Sequence, residues 1–312
     1  MSKIGTLLRI IKNKKTFNQA LANNIGRSRL SRIIPSKIYL RMMYKLVVGN
    51  KLNLKNPKTF NEKLQWLKIY NKSPEYIEMV DKYDVKEYVS RKIGEDYIIK
   101  TLGVWDSVEK IDIAKLPDRF VLKCTHDSGS TFICKSKETF NFELVKSEIR
   151  KKLKSNLYWW SREWPYKNVK PRIIAEELLH DDSTDDLRDY KFMCFNGEVK
   201  CSFVCSDRHT KNGLHVTFFD RDWNVMPFER SFPKHKDGFP KPVNYEKMIE
   251  FAEMLSKDIP FVRVDFYEVN GKIYFGELTF FPGAGMEAFD PEEWDLTLGS
   301  WIELPKTNSR MK

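Results

Sequence analysis

Apolar and polar positions alternate across residues 187 to 207 on either side of Asn196-Gly197, the clearest hairpin pattern in the chain. A second Asn-Gly pair, at residues 270 and 271, separates two further alternating runs. There Val262, Val264 and Phe266 fall on one face and Arg263 and Asp265 on the other, while Glu277 and Thr279 share a face of the following strand. A strict two-residue loop would put Asp265 and Glu277 on opposite faces. A three- or five-residue loop with a bulge brings them together, and the bulged form is expected. Residues 120–124 and 132–135 read as strands flanking the small polar loop 125–131, residues 172–178 as another, and residues 214–219 and 223–228 as a further pair.

Helical periods occupy other stretches. Thr59 and Glu62 form a capping box ahead of a stripe at Phe60, Leu64 and Leu67. A second helix is expected from about 81 to 92, with Val85, Tyr88 and Val89 inward and Gly94 as its stop; others near 141–155 and 245–257. That order predicts an α+β protein, not a doubly wound sheet. The expected division is a helical N-terminal region over 1–75, a first lobe over 76–172 and a second over 173–312. Internal repeats and low-complexity segments are absent.

With 312 residues, 41% of them hydrophobic and 31% charged, the chain has the composition of a soluble globular protein, and no run approaches the ~18 apolar residues that cross a bilayer. Cys124, Cys134, Cys194, Cys201 and Cys205 lack metal-ligand spacing and read as reduced core residues of a cytoplasmic protein. The net charge of +11 is concentrated: residues 1 to 61 hold fourteen Lys or Arg and no Asp or Glu. Ile4, Leu7, Leu8 and Ile11 recur at helical spacing among those cations, which predicts peripheral contact with an anionic membrane through residues 1–15. A solvated basic face, a transit peptide and a nucleic-acid arm are the alternatives, and no nucleic-acid-binding signature supports a specific nucleic-acid partner.

The acids of the hairpin carry the candidate chemistry. Two carboxylates on one sheet face repel unless a cation lies between them, and paired hard oxygen ligands suit Mg²⁺ that also holds phosphates; ordinary solvated acids are the alternative. Lys123 on a strand end, followed by a loop whose amides can surround an anion, suits a nucleotide phosphate, although no G-x-x-x-x-G-K run is present. His126 in that loop is either a general base or a structural residue, and His180, His209, His215 and His235 lack metal spacing. Three tryptophans crowd residues 158–166, as a sugar-stacking platform or a packed loop anchor.

In order along the chain, Asn56-Pro-Lys-Thr-Phe-Asn-Glu-Lys, Asp81-Lys82-Tyr-Asp-Val-Lys86, Phe120-Val-Leu-Lys-Cys-Thr-His-Asp-Ser-Gly-Ser, Glu163-Trp-Pro-Tyr-Lys, Ile174-Ala-Glu-Glu-Leu-Leu, Asp189-Tyr-Lys-Phe and the terminal hairpin resemble the TupA-like branch of the ATP-grasp superfamily, named after teichuronopeptide biosynthesis. The stretches span about residues 56 to 285; each is loose, and the ordered set is specific. The resemblance implies an ATP-grasp fold, two α+β lobes gripping ATP behind the basic helical region. It implies nucleotide contacts from Lys82, Lys123, Ser128, Gly129, Ser130, Glu176, Glu177 and Leu178, with Glu177 at the ribose. Asp265 and Glu277 would hold Mg²⁺, with Thr279 where relatives carry Asn; a hydroxyl is the poorer ligand, which puts a second Mg²⁺ position in doubt. Lys191, Arg208, Arg263 and His126 complete the candidate catalytic set.

The implied activity is an ATP-dependent carboxylate–amine ligase working through an acyl phosphate, joining an amine or amino acid to a uronic acid of a cell-surface polysaccharide. Its partners would be a carboxylate-bearing glycan or sugar and an amine donor. A sugar kinase using the same grasp and a glycosyltransferase are the competing readings, and a membrane-bound scaffold would leave the aligned acids without purpose.

Overall fold

The computed structural model describes residues 14–182, 187–206, 213–235 and 238–306. Helices come first: α1 (Lys14–Arg27), α2 (Ser36–Val47), α3 (Phe60–Tyr70), α4 (Glu75–Val80) and α5 (Val85–Ile93). The capping box forms as its sequence dictates, the Glu62 amide donating to the Thr59 hydroxyl at 3.2 Å and the Glu62 carboxylate accepting from the Thr59 amide. Gly94 ends α5 at φ +104, a backbone angle that side-chain-bearing residues resist.

A four-stranded antiparallel sheet follows, from β1 (Thr101–Trp105), β2 (Phe120–Cys124), β3 (Thr131–Cys134) and β4 (Ile173–Glu177), in the order β1-β4-β2-β3. Between β3 and β4 run α6 (Phe142–Leu153) and the single turn α7 (Tyr158–Ser161). Phe120, Leu122, Cys124, Ile173 and Ala175 pack with Val145 and Ile149 of α6 into a small core of their own. β4 bonds to both β1 and β2, so residues 173–177 belong to the four-stranded sheet.

The remaining elements are β5 (Asp189–Phe195), β6 (Glu198–Ser206), β7 (His215–Phe219), β8 (Glu229–Arg230), α8 (Tyr245–Ser256), β9 (Phe261–Val269), β10 (Lys272–Thr279), β11 (Phe289–Asp290) and α9 (Glu293–Trp301). Five of them form an antiparallel sheet in the order β10-β9-β5-β6-β7. The strand expected at 223–228 shrinks to one bridge between Phe219 and Val225, since the Asp220 carboxylate draws the Asp222 and Asn224 amides into a tight turn at 3.0 and 2.8 Å. Arg230 of β8 pairs with Phe289 of β11 instead.

One face of the five-stranded sheet is apolar, with Val262, Val264 and Phe266 fully buried as their alternation requires. The N-terminal helices are built into this core. Phe60 of α3 meets Phe195, Phe261 and Phe289 with ring centroids 6.1, 4.9 and 6.1 Å away. The aromatic cluster around α7 serves the same region as an anchor. Arg162 lies 4.1 Å over the Tyr39 ring and donates to Ser31 O at 2.6 Å, and the Tyr39 hydroxyl donates to Trp160 O at 2.7 Å. A side chain at Gly26 would strike Trp160, so α1 sits directly on that indole. These contacts favour the packed anchor over the sugar platform.

Candidate active site

The second hairpin brings its two acids together by a route other than the expected loop. Val269 pairs with Lys272, so the loop is the strict two-residue Asn270-Gly271, both residues at positive φ as such a turn needs. The bulge sits past the turn, at Gly276, where the register shifts between Phe275 and Glu277. That single extra residue rotates Glu277 onto the face of Asp265 and pairs the two directly.

A cation does lie between the acids, and the protein supplies it. Arg263 donates from Nε and Nη2 to the two Asp265 oxygens at 2.6 Å each, and from Nη2 to Glu277 Oε1 at 2.6 Å. Lys191, opposite Asp265 in the neighbouring strand, donates to Asp265 at 2.5 Å and also pairs with Asp189. Burial pushes the Asp265 carboxyl up to about 6, with Arg263 and Lys191 pulling against it. Burial also opposes Glu277, but Arg263, Lys191 and Lys82 outweigh it and hold that carboxyl at about 2. For Lys191 the penalty of burial is exceeded by Asp189 and Asp265, and its ammonium is held above the usual lysine range.

A cavity of about 480 Å³ opens over this face. Its walls include Lys82, Lys123, Ser128, Gly129, Glu176, Glu177 and Leu178, together with Lys191, Arg263, Asp265 and Glu277, so the structure gathers eleven of the sequence-predicted residues around one space. Glu176 is nearly enclosed and takes two lysines at once, Lys123 at 2.6 Å and Lys86 at 2.5 Å; burial raises its carboxyl, and these two charges more than reverse that. Lys82 donates to Asp127 O in the polar loop, and burial lowers its ammonium. Gly129 turns the loop at φ +85, with Ser128 beside it.

Three expected residues stand elsewhere. Ser130 is buried behind the loop, its hydroxyl bonded to Asp127 and accepting from the Cys124 amide at 3.1 Å, so it shapes the loop from inside. His126 is not among the residues lining the cavity; its Nε2 lies 3.2 Å from Lys152 O near the end of α6, and burial lowers its pKa. The Thr279 hydroxyl donates to Glu277 Oε1 at 3.3 Å and does not line the cavity. Arg208 lies outside the described residues, as does the amphipathic run at residues 4–11.

Other wall residues escaped the sequence reading. Lys86 sits one helical turn after Lys82, a spacing that could have flagged it. Phe203, Cys205, Val216 and Phe218 continue the cavity floor onto β6 and β7. Arg230 is buried between the Phe60 and Phe289 rings, at 5.6 and 5.7 Å, and donates to Pro282 O at 2.9 Å while pairing with Glu287 at 2.5 Å. Its two-residue strand leaves no periodic signature.

The donor set suits Mg²⁺ held jointly with phosphates, a metal that commonly takes one or two protein carboxylates and completes its shell with substrate and water. Asp265 and Glu277 would be those two, and no group of three or more His, Cys, Asp or Glu able to hold a metal occurs among the described residues.

The family model of the TupA-like ATP-grasp proteins matches residues 62–303. The chain belongs to that family. No curated protein matches it. Among solved structures, this TupA-like ATP-grasp chain is similar to D-alanine–D-alanine ligase from Helicobacter pylori, at 14% identity and TM-score 0.44 over 81% of this chain and 69% of that one. The corresponding enzyme from Bacillus anthracis matches at 14% identity and TM-score 0.39, over 65% and 57% of the two chains. The ATP-grasp ligase PsnB, solved with its minimal precursor, Mg and ADP, matches at 12% and 0.38, over 72% and 60%. The TupA-like chain thus spans less than two thirds of the length of the latter two. Among its described residues no helix is long and apolar enough to cross a membrane.

Proposed function

We propose that the protein is an ATP-dependent carboxylate–amine ligase whose acceptor is a carboxylate-bearing sugar, such as a uronic acid of a cell-surface polysaccharide. One observation carries the reading: a single row across the five-stranded sheet runs Glu277, Asp265, Lys191, Phe203, Phe218. Charge that suits a metal-bound triphosphate gives way, one strand later, to an aromatic floor that suits the face of a sugar ring.

Lys82, Lys123 and the Ser128–Gly129 backbone would bind the phosphates, and the end of β4 at Glu176 to Leu178 would meet the base and ribose. Asp265 and Glu277 would hold Mg²⁺, whose charge would offset that of the phosphates. The acceptor carboxylate takes the γ-phosphoryl group as ADP leaves; an amine then attacks the acyl carbon and phosphate departs. Lys191 and Arg263 stand where negative charge builds in both steps, which is where positioned cations lower a barrier most. Once the phosphates enter, Arg263 can turn part of its donor set from the carboxylates to them.

The test is ADP release measured with uronic acids and amino compounds singly and together. Release that requires both supports the ligase; release with a sugar alone indicates a kinase. Lys123→Met should abolish most of the thermal stabilisation by Mg-ATP, which for the unaltered protein is about 2.7 kcal/mol at a hundredfold excess over Kd.

A further inference from the structure

The turn between α1 and α2 presents apolar side chains to solvent where a folded protein usually hides them. Leu30 is 74% exposed, Ile33 81% and Ile38 57%. Leu30 and Ile33 lie on one 3₁₀ turn and Ile38 on the first turns of α2, whose opposite side buries Tyr39, Leu40, Met43 and Tyr44. Interleaved with them, Arg27, Arg29, Arg32, Lys37, Arg41 and Lys45 are all exposed. Ile38, Arg41 and Lys45 share one helix face. Arg32 and Lys37 lie over the Trp159 and Tyr70 rings at 5.4 and 5.0 Å, which fixes their position while they stay exposed.

We propose that this surface, centred on Leu30, Ile33 and Ile38, docks the protein on an anionic lipid bilayer. Two features select lipid. Protruding aliphatic side chains ringed by cations match an interface where acyl chains lie just beneath anionic headgroups. Nucleic acid would use the cations and leave the aliphatic tips in water, and an acidic protein partner would need apolar pockets to receive them. Charge also accumulates in one sense only, since no Asp or Glu occurs before Glu62, and Lys3, Arg9 and Lys12 precede α1 in the sequence. The Trp159–Arg162 anchor holds the surface on the folded core, so it docks as a rigid patch and is independent of the ligase reading.

The experiment is co-sedimentation of the full chain with phosphatidylcholine vesicles, with and without phosphatidylglycerol, across a salt series, beside binding to a single-stranded DNA. Binding is expected to the anionic vesicles and to fall with salt. Leu30→Ser with Ile33→Ser should weaken the partition about tenfold while leaving the thermal midpoint unchanged. Arg29→Ser with Arg41→Ser should flatten the salt dependence, and a chain beginning at residue 14 should still bind. The proposal is overturned if the full chain stays in the supernatant at low salt, if the Leu30/Ile33 double variant binds as the parent does, if all binding vanishes with residues 1–13, or if DNA is held and vesicles are not.

Discussion

At Asp265 burial and charge pull a single carboxyl in opposite directions, and the outcome sets the pH range of the site. A group needed in its ionised form but pushed up to about 6 takes on a proton as the pH falls through that value. Glu277, held at about 2, stays ionised throughout. For the free enzyme kcat/KM for Mg-ATP should therefore be level above neutrality and fall about tenfold per unit below pH 6, which a rate profile at saturating acceptor would reveal. An acid limb appearing only below pH 4 would remove Asp265 from the metal. Asp265→Asn should lower turnover by about 100-fold or more with the fold retained by circular dichroism.

Gly276 decides the chemistry of the hairpin at the scale of an element. Its bulge puts Glu277 beside Asp265, and a side chain there would sit 3.1 Å from Asp265 O and 3.3 Å from the Tyr267 ring. Gly276→Ala should displace Asp265 and cut turnover more than stability. Deleting Gly276 should cost less than that substitution, because a ladder without the extra residue still sets Glu277 opposite Asp265 and Leu278 opposite Val264. Turnover unchanged in Gly276→Ala would show that close packing at the bulge does not set the position of Asp265. The hairpin was legible in the sequence because alternation has period two and Asn-Gly marks the turn; the isolated glycine inside the strand was the one trace of the bulge, and it does not say which partner residue is skipped. Residues on β6 and β7 were legible as strands but not as cleft floor, since only the register against β5 sets Phe203 opposite Lys191. His126 and the tryptophan cluster were equally undecided until α6, α1 and α2 were in place, because their roles are fixed by contacts distant in sequence.

Across the whole molecule, α3 ties the loop after the hairpin to the N-terminal helices. Gln65 donates to Ala284 O at 2.9 Å and Gly285 O at 2.7 Å, and the buried Lys68 ammonium bridges Ser161 O at 2.9 Å and Ala284 O at 2.8 Å. Burial lowers Lys68 to about 8, with Glu163 opposing. Gly283, Ala284 and Gly285 all take left-handed angles beneath these donors, Ala284 at some cost. Lys68→Met leaves two carbonyls and a buried Glu163 without their cation, and should destabilise the protein by about 3 kcal/mol, read as a lower midpoint in urea. Adding Glu163→Gln should recover part of the loss. An unaltered midpoint in the single variant would mean that the loop holds its shape without α3.

The row from Glu277 to Phe218 separates two tasks by strand. In the proposed reaction, activation of the carboxylate would rest on β5, β9 and β10, while β6 and β7 turn apolar side chains to the cavity. If that reading holds, exchanging Phe203, Cys205, Val216 or Phe218 would change which acceptor fits and spare the phosphoryl machinery, so descendants of one ancestor could diverge in acceptor by altering two neighbouring strands alone.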